Sequence, residues 1–153
     1  MKVGQRSAVI EERTCGLGGE GKRWRRELWA GHGGGLRCVA VQGKVTIGSD
    51  NRFSPFCVIG GEPQDISYSG AETEVVIGNN NVFRESITVN RASEKEDGIT
   101  SVGDDGYFMA CVHIAHDCQI GNNTIFANNT TLGGHVEVGD YVIFGGFSGA
   151  HQF

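Results

Sequence analysis

The sequence predicts an all-β fold, a parallel β-helix with the cross-section of a triangular prism. Three observations predict it. First, Val102, Phe108, Ile114, Ile120, Phe126, Leu132, Val138, Phe144 and Ala150 follow one another at six-residue intervals without a gap. Second, shorter blocks keep the same interval at Val41, Ile47, Phe53 and Ile59, and again at Ile77, Phe83 and Val89. Third, glycine supplies 25 of the 153 residues, more than twice its usual share of about 7%. An apolar residue every six positions cannot stay on one face of a 3.6-residue helix. A β-sandwich with glycine turns is the competing reading, but sandwiches do not keep so strict a register.

In the prism, each hexad forms one short flat strand and three strands complete a coil of 18 residues. Coils then stack about 4.8 Å apart through parallel hydrogen bonds. Position one of each hexad fills a corner of the core. Position five is compact or β-branched, as at Val112, Cys118, Thr124, Thr130, Val136, Val142 and Ser148. Position two is small, as at Gly103, Ala115, Gly121, Ala127, Gly133, Gly139 and Gly145; the expected reason is that the chain turns there.

Taken in order, residues 1–40 are expected to be irregular. Val3 and Val9 keep the period, but it vanishes from Arg13 onward. Lys22-Arg23-Trp24-Arg25-Arg26 and Gly31-His32-Gly33-Gly34-Gly35 have the composition of a GC-rich coding region read out of frame, as a remnant of the first coils would. A basic arm for phosphate or nucleic acid is the functional alternative for that stretch. Residues 41–153 are expected to form the β-helix, with two excursions. One, at about 60–74, contains Pro63, Gln64 and Asp65; the other, at 91–98, is highly charged. Long loops on a compact repeat scaffold are either functional or tolerated.

Residues 18 apart should lie directly above one another. His116, Gly134 and Gln152 then share one column, and Asp117 lies beneath His135. With His151, and His113 nearby, these side chains should gather on one outer edge of the prism. Neutral histidine suits general-base work near pH 7, although a single histidine on such an edge is equally a solvated surface residue. A zinc site is a further option, but His113 and His116, three apart with no third histidine in register, make a weak ligand set. No metal is expected.

Composition narrows the class. The chain is 39% hydrophobic and 20% charged with net charge −5, which argues against nucleic acid as a partner. No apolar run approaches the roughly 20 residues of a membrane span. Met1-Lys2-Val3-Gly4 opens no secretory signal, and five cysteines fall in no metal or disulfide spacing, so a cytoplasmic location is expected.

The motifs themselves are more specific than the period. Residues 113–118 read His-Ile-Ala-His-Asp-Cys, residues 126–136 read Phe-Ala-Asn-Asn-Thr-Thr-Leu-Gly-Gly-His-Val, and residues 151–153 read His-Gln-Phe. With Ile-Gly-Asn-Asn-Asn at 77–81, Arg84-Glu85-Ser86 and Gln64-Asp65, they resemble the UDP-N-acetylglucosamine O-acyltransferases, the hexapeptide-repeat enzymes that begin lipid A synthesis. The resemblance covers roughly residues 41–153.

That resemblance implies a left-handed β-helix and transfer of a 3-hydroxyacyl chain from acyl carrier protein to the 3-hydroxyl of UDP-N-acetylglucosamine. His116 matches the catalytic base, Asp117 the residue that orients it, and Gly134 the backbone N–H that steadies the oxyanion. His113, His135, His151 and Gln152 match substrate-contacting positions, and Gln64 and Asp65 match the loop that meets the sugar nucleotide or acyl chain. A homotrimer is implied, and no metal or small cofactor. Ser67 stands where the family usually has lysine, and Asn90 where histidine is common. The family continues past the position of Phe153 with further coils and a helical carboxy-terminal domain, so a fragment lacking that domain is expected, with both ends of the prism open. The competing readings are an N-acyltransferase of the later lipid A step and an inactive truncated scaffold.

Overall fold

The computed structural model describes residues 8–10 and 39–152. The basic and glycine-rich stretches at 22–26 and 31–35, and Phe153, lie outside the described residues. Among the described residues the chain is strand, turn and irregular loop, with no helix. The first strands are β1 (Ala8–Ile10), β2 (Ala40–Val41), β3 (Lys44–Ile47), β4 (Arg52–Phe53) and β5 (Val58–Gly61). The next coils hold β6 (Glu74–Ile77), β7 (Val82–Phe83), β8 (Thr88–Asn90), β9 (Ile99–Val102), β10 (Tyr107–Phe108) and β11 (His113–Ile114). The last strands are β12 (Gln119–Ile120), β13 (Ile125–Phe126), β14 (Thr131–Leu132), β15 (Glu137–Val138), β16 (Ile143–Phe144) and β17 (Gly149–Ala150).

Every third strand joins the same sheet. The three faces are β1-β3-β6-β9-β12-β15, β4-β7-β10-β13-β16 and β2-β5-β8-β11-β14-β17. Pairing is parallel throughout, apart from β1 against β3. Phe108 pairs with Phe126 and Phe126 with Phe144, an 18-residue step. The coils wind left-handed, opposite to the hand that parallel crossovers generally take.

Position one of each hexad points inward. Val102, Phe108, Ile114, Ile120, Phe126, Leu132 and Val138 are all buried. One face lines the interior with a column of phenylalanines: Phe53, Phe83, Phe108, Phe126 and Phe144 follow with ring centroids 4.8, 4.9, 5.1 and 4.8 Å apart. Such aromatic pairs add about 0.5–1.5 kcal/mol each beyond the area they bury. Strands in the regular coils are only two residues long, shorter than the hexad-length strands the period suggested, because the rest of each hexad is spent on the corner.

The turn falls at position four. Asp50, Phe56, Asn80, Ser86, Asp105, Cys111, Asp117, Asn123, Asn129, His135, Tyr141 and Phe147 all have φ between 56° and 68°. This left-handed conformation is costly for most side chains, and Asn and Asp tolerate it best. At the corner after β3, β6, β9 and β12 the glycine at position two has another cause than the expected turn. A Cβ on Gly48 would lie 2.5 Å from Gly78 O, and one on Gly78 would lie 2.7 Å from Gly103 O. Stacking of successive coils excludes it.

β1 departs from the period that Val9 suggested: it lies antiparallel to β3, with Val9 opposite Thr46. It pairs the edge of one face that would otherwise be unpaired. The two excursions, residues 62–73 and 91–98, leave the coils stacked in order, since Ile59 still pairs with Val89 and Val89 with Ile114, but the strand before the first carries a bulge that sets Gly61 opposite Asn90. They pack on each other through Lys95 and Asp65, Ser69 and Glu94, and Arg91 and Glu62.

Candidate active site

The corner after β11 and the corner after β14 stand one above the other. His116 and Gly134 occupy position three of their hexads, and Asp117 and His135 occupy position four, where the left-handed turn throws the side chain outward. The stacking predicted from 18-residue spacing is present: His135 N donates to His116 O at 3.0 Å. A Cβ on Gly134 would sit 2.4 Å from His116 Cε1, so the imidazole lies flush against bare backbone. No other residue could leave room for that ring.

Asp117 is the fixed centre of the cluster. Its side chain is fully buried and accepts from several donors. Ser93 N reaches Oδ1 and Oδ2 at 3.1 and 3.0 Å, Ser93 Oγ donates to Oδ2 at 2.7 Å, and His116 Nδ1 lies 2.7 Å from Oδ2. Its own N–H donates to Thr100 Oγ1 at 2.8 Å. A buried carboxylate needs such donors in place of water. The pairing puts the proton of neutral His116 on Nδ1 and leaves Nε2 as the free base, toward Gly134.

His135 completes the group. Its Nδ1 lies 2.8 Å from Glu96 Oε1, and its Nε2 lies 3.7 Å from Asp117 Oδ2. Its ring meets that of His116 edge-on, with centroids 5.1 Å apart at 86°. His116, Asp117 and His135 have one ligand atom each within 4.8 Å of one another. Tetrahedral ligands on a metal at about 2.0–2.1 Å stand roughly 3.3 Å apart. The 2.7 Å separation of His116 Nδ1 and Asp117 Oδ2 is a hydrogen bond instead, so the arrangement fits a base and its orienting carboxylate.

The remaining predicted residues lie around this core. His113, in β11, bonds Thr88 Oγ1 through Nδ1 at 2.7 Å. Burial, and then the charge of His116, pushes its pKa down, favouring the neutral ring. His151 and Gln152 line an open groove of about 680 Å³ together with Lys95, Glu96, His135 and Glu137. Gln152 Oε1 is buried there without a hydrogen-bond partner among the described residues. Asp65 reaches the site only indirectly: its Oδ2 lies 2.6 Å from Lys95 Nζ. That hydrogen bond first, and those from Ser67 second, hold its carboxyl well below the usual range. Gln64 is exposed on the first excursion, and among the described residues no hydrogen bond joins it to the cluster. Cys118, next to Asp117, is no competing nucleophile, because burial pushes its thiol up to about 11.

Ser93, Glu96 and Thr100 were not singled out from the sequence. The charged run at 91–98 was the one signal, but the excursion breaks the 18-residue count, so no register could aim its side chains at the cluster.

The family described as bacterial transferase hexapeptide (six repeats) matches over residues 100–134. An acyl-[acyl-carrier-protein]–UDP-N-acetylglucosamine O-acyltransferase of Verminephrobacter eiseniae is 53% identical over 113 residues, 74% of this chain and 43% of that protein. The enzyme of the same name from Stenotrophomonas maltophilia R551-3 is 58% identical over 106 residues, 69% of this chain and 40% of its own length. Among solved structures, the UDP-N-acetylglucosamine acyltransferase of Francisella novicida superposes with a TM-score of 0.72 at 38% identity, over 74% of this chain and 42% of that one. The Campylobacter jejuni enzyme gives 0.68 at 48% identity, over 74% and 44%. The chain therefore spans about two-fifths of the length of the curated relatives it matches. Over that span it resembles the UDP-N-acetylglucosamine O-acyltransferases in both sequence and fold, with His116, Asp117 and Gly134 inside the hexapeptide match.

Proposed function

We propose that this chain carries the catalytic corner of an O-acyltransferase that moves a 3-hydroxyacyl chain from acyl carrier protein to the 3-hydroxyl of UDP-N-acetylglucosamine, the first step of lipid A synthesis. The observation that supports it most is the 2.7 Å contact of His116 Nδ1 with the buried Asp117 carboxylate, with the other edge of the ring against Gly134. His116 Nε2 takes the proton of the sugar hydroxyl as its oxygen attacks the thioester carbonyl. Asp117 holds the tautomer and stabilises the imidazolium that forms. The N–H of Gly134, which donates to no protein acceptor among the described residues, steadies the oxyanion, a contribution of about 3 kcal/mol. Collapse of that intermediate expels the carrier thiolate, and His116 returns the proton to it.

In this reading His113, His135, His151 and Gln152 contact substrate, and Gln64 and Asp65 meet the sugar nucleotide or acyl chain. The active unit is a homotrimer in the cytoplasm; among the described residues no helix is long and apolar enough to cross a membrane. No metal or small cofactor enters the chemistry. The test is acyl transfer by the full chain supplied with 3-hydroxyacyl carrier protein and, in parallel, UDP-N-acetylglucosamine or an amino-sugar acceptor. Ester formation on the first acceptor, falling about 10²–10⁴-fold in His116→Ala, is the expected result. Undiminished transfer in that variant, or amide formation alone, rejects the reading.

A further inference from the structure

The excursion at 91–98 touches the histidine pair at two points to which acyl transfer alone gives no role. Ser93 is wholly buried; its N–H spans both oxygens of Asp117 and its hydroxyl donates to Oδ2 at 2.7 Å. Three residues on, Glu96 Oε1 lies 2.8 Å from His135 Nδ1. The residues between them face the other way. Glu94 accepts from Ser69 N and Oγ at 3.1 and 2.7 Å, and Lys95 pairs with Asp65 at 2.6 Å. Arg91 roots the segment, donating to Gly60 O and to Glu62 Oε1, both at 3.1 Å.

We infer that residues 91–98 form a positioning arm for the histidine pair, in which Ser93 holds the Asp117 carboxylate that sets the His116 tautomer and Glu96 holds His135. The kinetic consequences rest on the acyl-transfer reading; the geometry does not.

A carboxylate offers about four acceptor sites. Asp117, with no exposed side-chain surface, has three donors for them, Ser93 N, Ser93 Oγ and His116 Nδ1, and all three reach Oδ2. Without the hydroxyl, one buried oxygen loses a donor that water cannot replace. The carboxylate is then held on that side by the Ser93 N–H alone, and its grip on the Nδ1 proton of His116 loosens. Glu96 acts on the neighbouring ring. By holding Nδ1 of His135 it keeps Nε2 at 3.7 Å from Asp117 Oδ2, so His135 does not displace His116 from that oxygen.

The experiment compares the full chain with Ser93→Ala, Ser93→Thr and Glu96→Gln by two readouts. Long-range ¹H–¹⁵N correlation spectra report which ring nitrogen carries the proton. Acyl transfer from 3-hydroxyacyl carrier protein to UDP-N-acetylglucosamine reports kcat and KM. Ser93→Ala is expected to turn a single Nδ1–H tautomer of His116 into a mixture. It should lower kcat about tenfold, the size of one hydrogen bond to a charged group, with KM within about twofold. Ser93→Thr restores both. Glu96→Gln is expected to alter the His135 signals and raise KM while leaving the His116 tautomer alone. An unchanged His116 tautomer in Ser93→Ala overturns the arm even if activity falls, because the serine would then only stabilise the fold. If the wild-type chain transfers no acyl group, yet the variants show these spectral changes, the proposed reaction is rejected and the arm stands.

Discussion

Two corners of the prism share one backbone and differ in a single feature of position three. At the corner after the β3-β6-β9-β12-β15 face, that position is filled by Asn79, Asp104, Asn122 and Asp140 in successive coils. Each side-chain oxygen accepts the N–H of the same position one coil earlier: Ser49 N to Asn79 at 2.8 Å, Asn79 N to Asp104 at 2.6 Å, Asp104 N to Asn122 at 2.8 Å, and Asn122 N to Asp140 at 2.6 Å. The corner becomes a continuous ladder of satisfied donors. At the candidate site, Gly134 stands where the ladder would place an Asn or Asp, above His116. It offers no cap to the N–H of His116 and leaves the space that the imidazole fills. The same backbone carries a run of capped donors at one corner and, at the other, a bare glycine against which the imidazole packs.

The comparison breaks most sharply at Gly134. Gly134→Ala puts a Cβ 2.4 Å from His116 Cε1, which forces the ring off its position; transfer is expected to fall about 10²-fold. Circular dichroism should show an unchanged fold, and activity close to wild type would mean the tight glycine contact is irrelevant. At the capped corner the reverse is expected. Asn122→Ala removes the acceptor for Asp104 N and the donor to Asp140, destabilising by about 1–2 kcal/mol in urea titration, with kcat unchanged. A large loss of kcat there would erase the distinction between the corners.

The smallest effect concerns His113. Its folded pKa is depressed by burial, so below the ordinary histidine value of about 6.5 the unfolded chain binds the proton more readily. Stability is therefore expected to fall as pH drops through that value and below. In His113→Gln the melting temperature should decline less over the same interval; an identical decline would assign the pH dependence to other groups.

Much of this was legible in the primary structure because the repeat is strict. Between Val102 and Ala150 every pairing follows from adding 18, so His116 with Gly134 and Asp117 with His135 could be stacked by counting alone. Counting failed at the excursions. The step from Val89 to Ile114 is 25 residues, and the surplus carries Ser93 and Glu96, whose direction depends on how residues 91–98 fold back. Asp65 lies on the first excursion, and its pairing with Lys95, 30 residues away on the second, was equally beyond counting. Gly48, Gly78, Gly103 and Gly121 owe their size to the coil above them, which the spacing within one coil does not display.

The amino-acid sequence by itself determined the period, the prism and the vertical neighbours of the histidines. These follow from local spacing repeated without interruption. Only the tertiary structure decided that β1 runs antiparallel against β3, that the left-handed turn falls at position four, and that the second excursion closes over Asp117. Each of those depends on contacts between segments with no fixed spacing, where packing and hydrogen-bond satisfaction choose among conformations that the chain alone leaves equal.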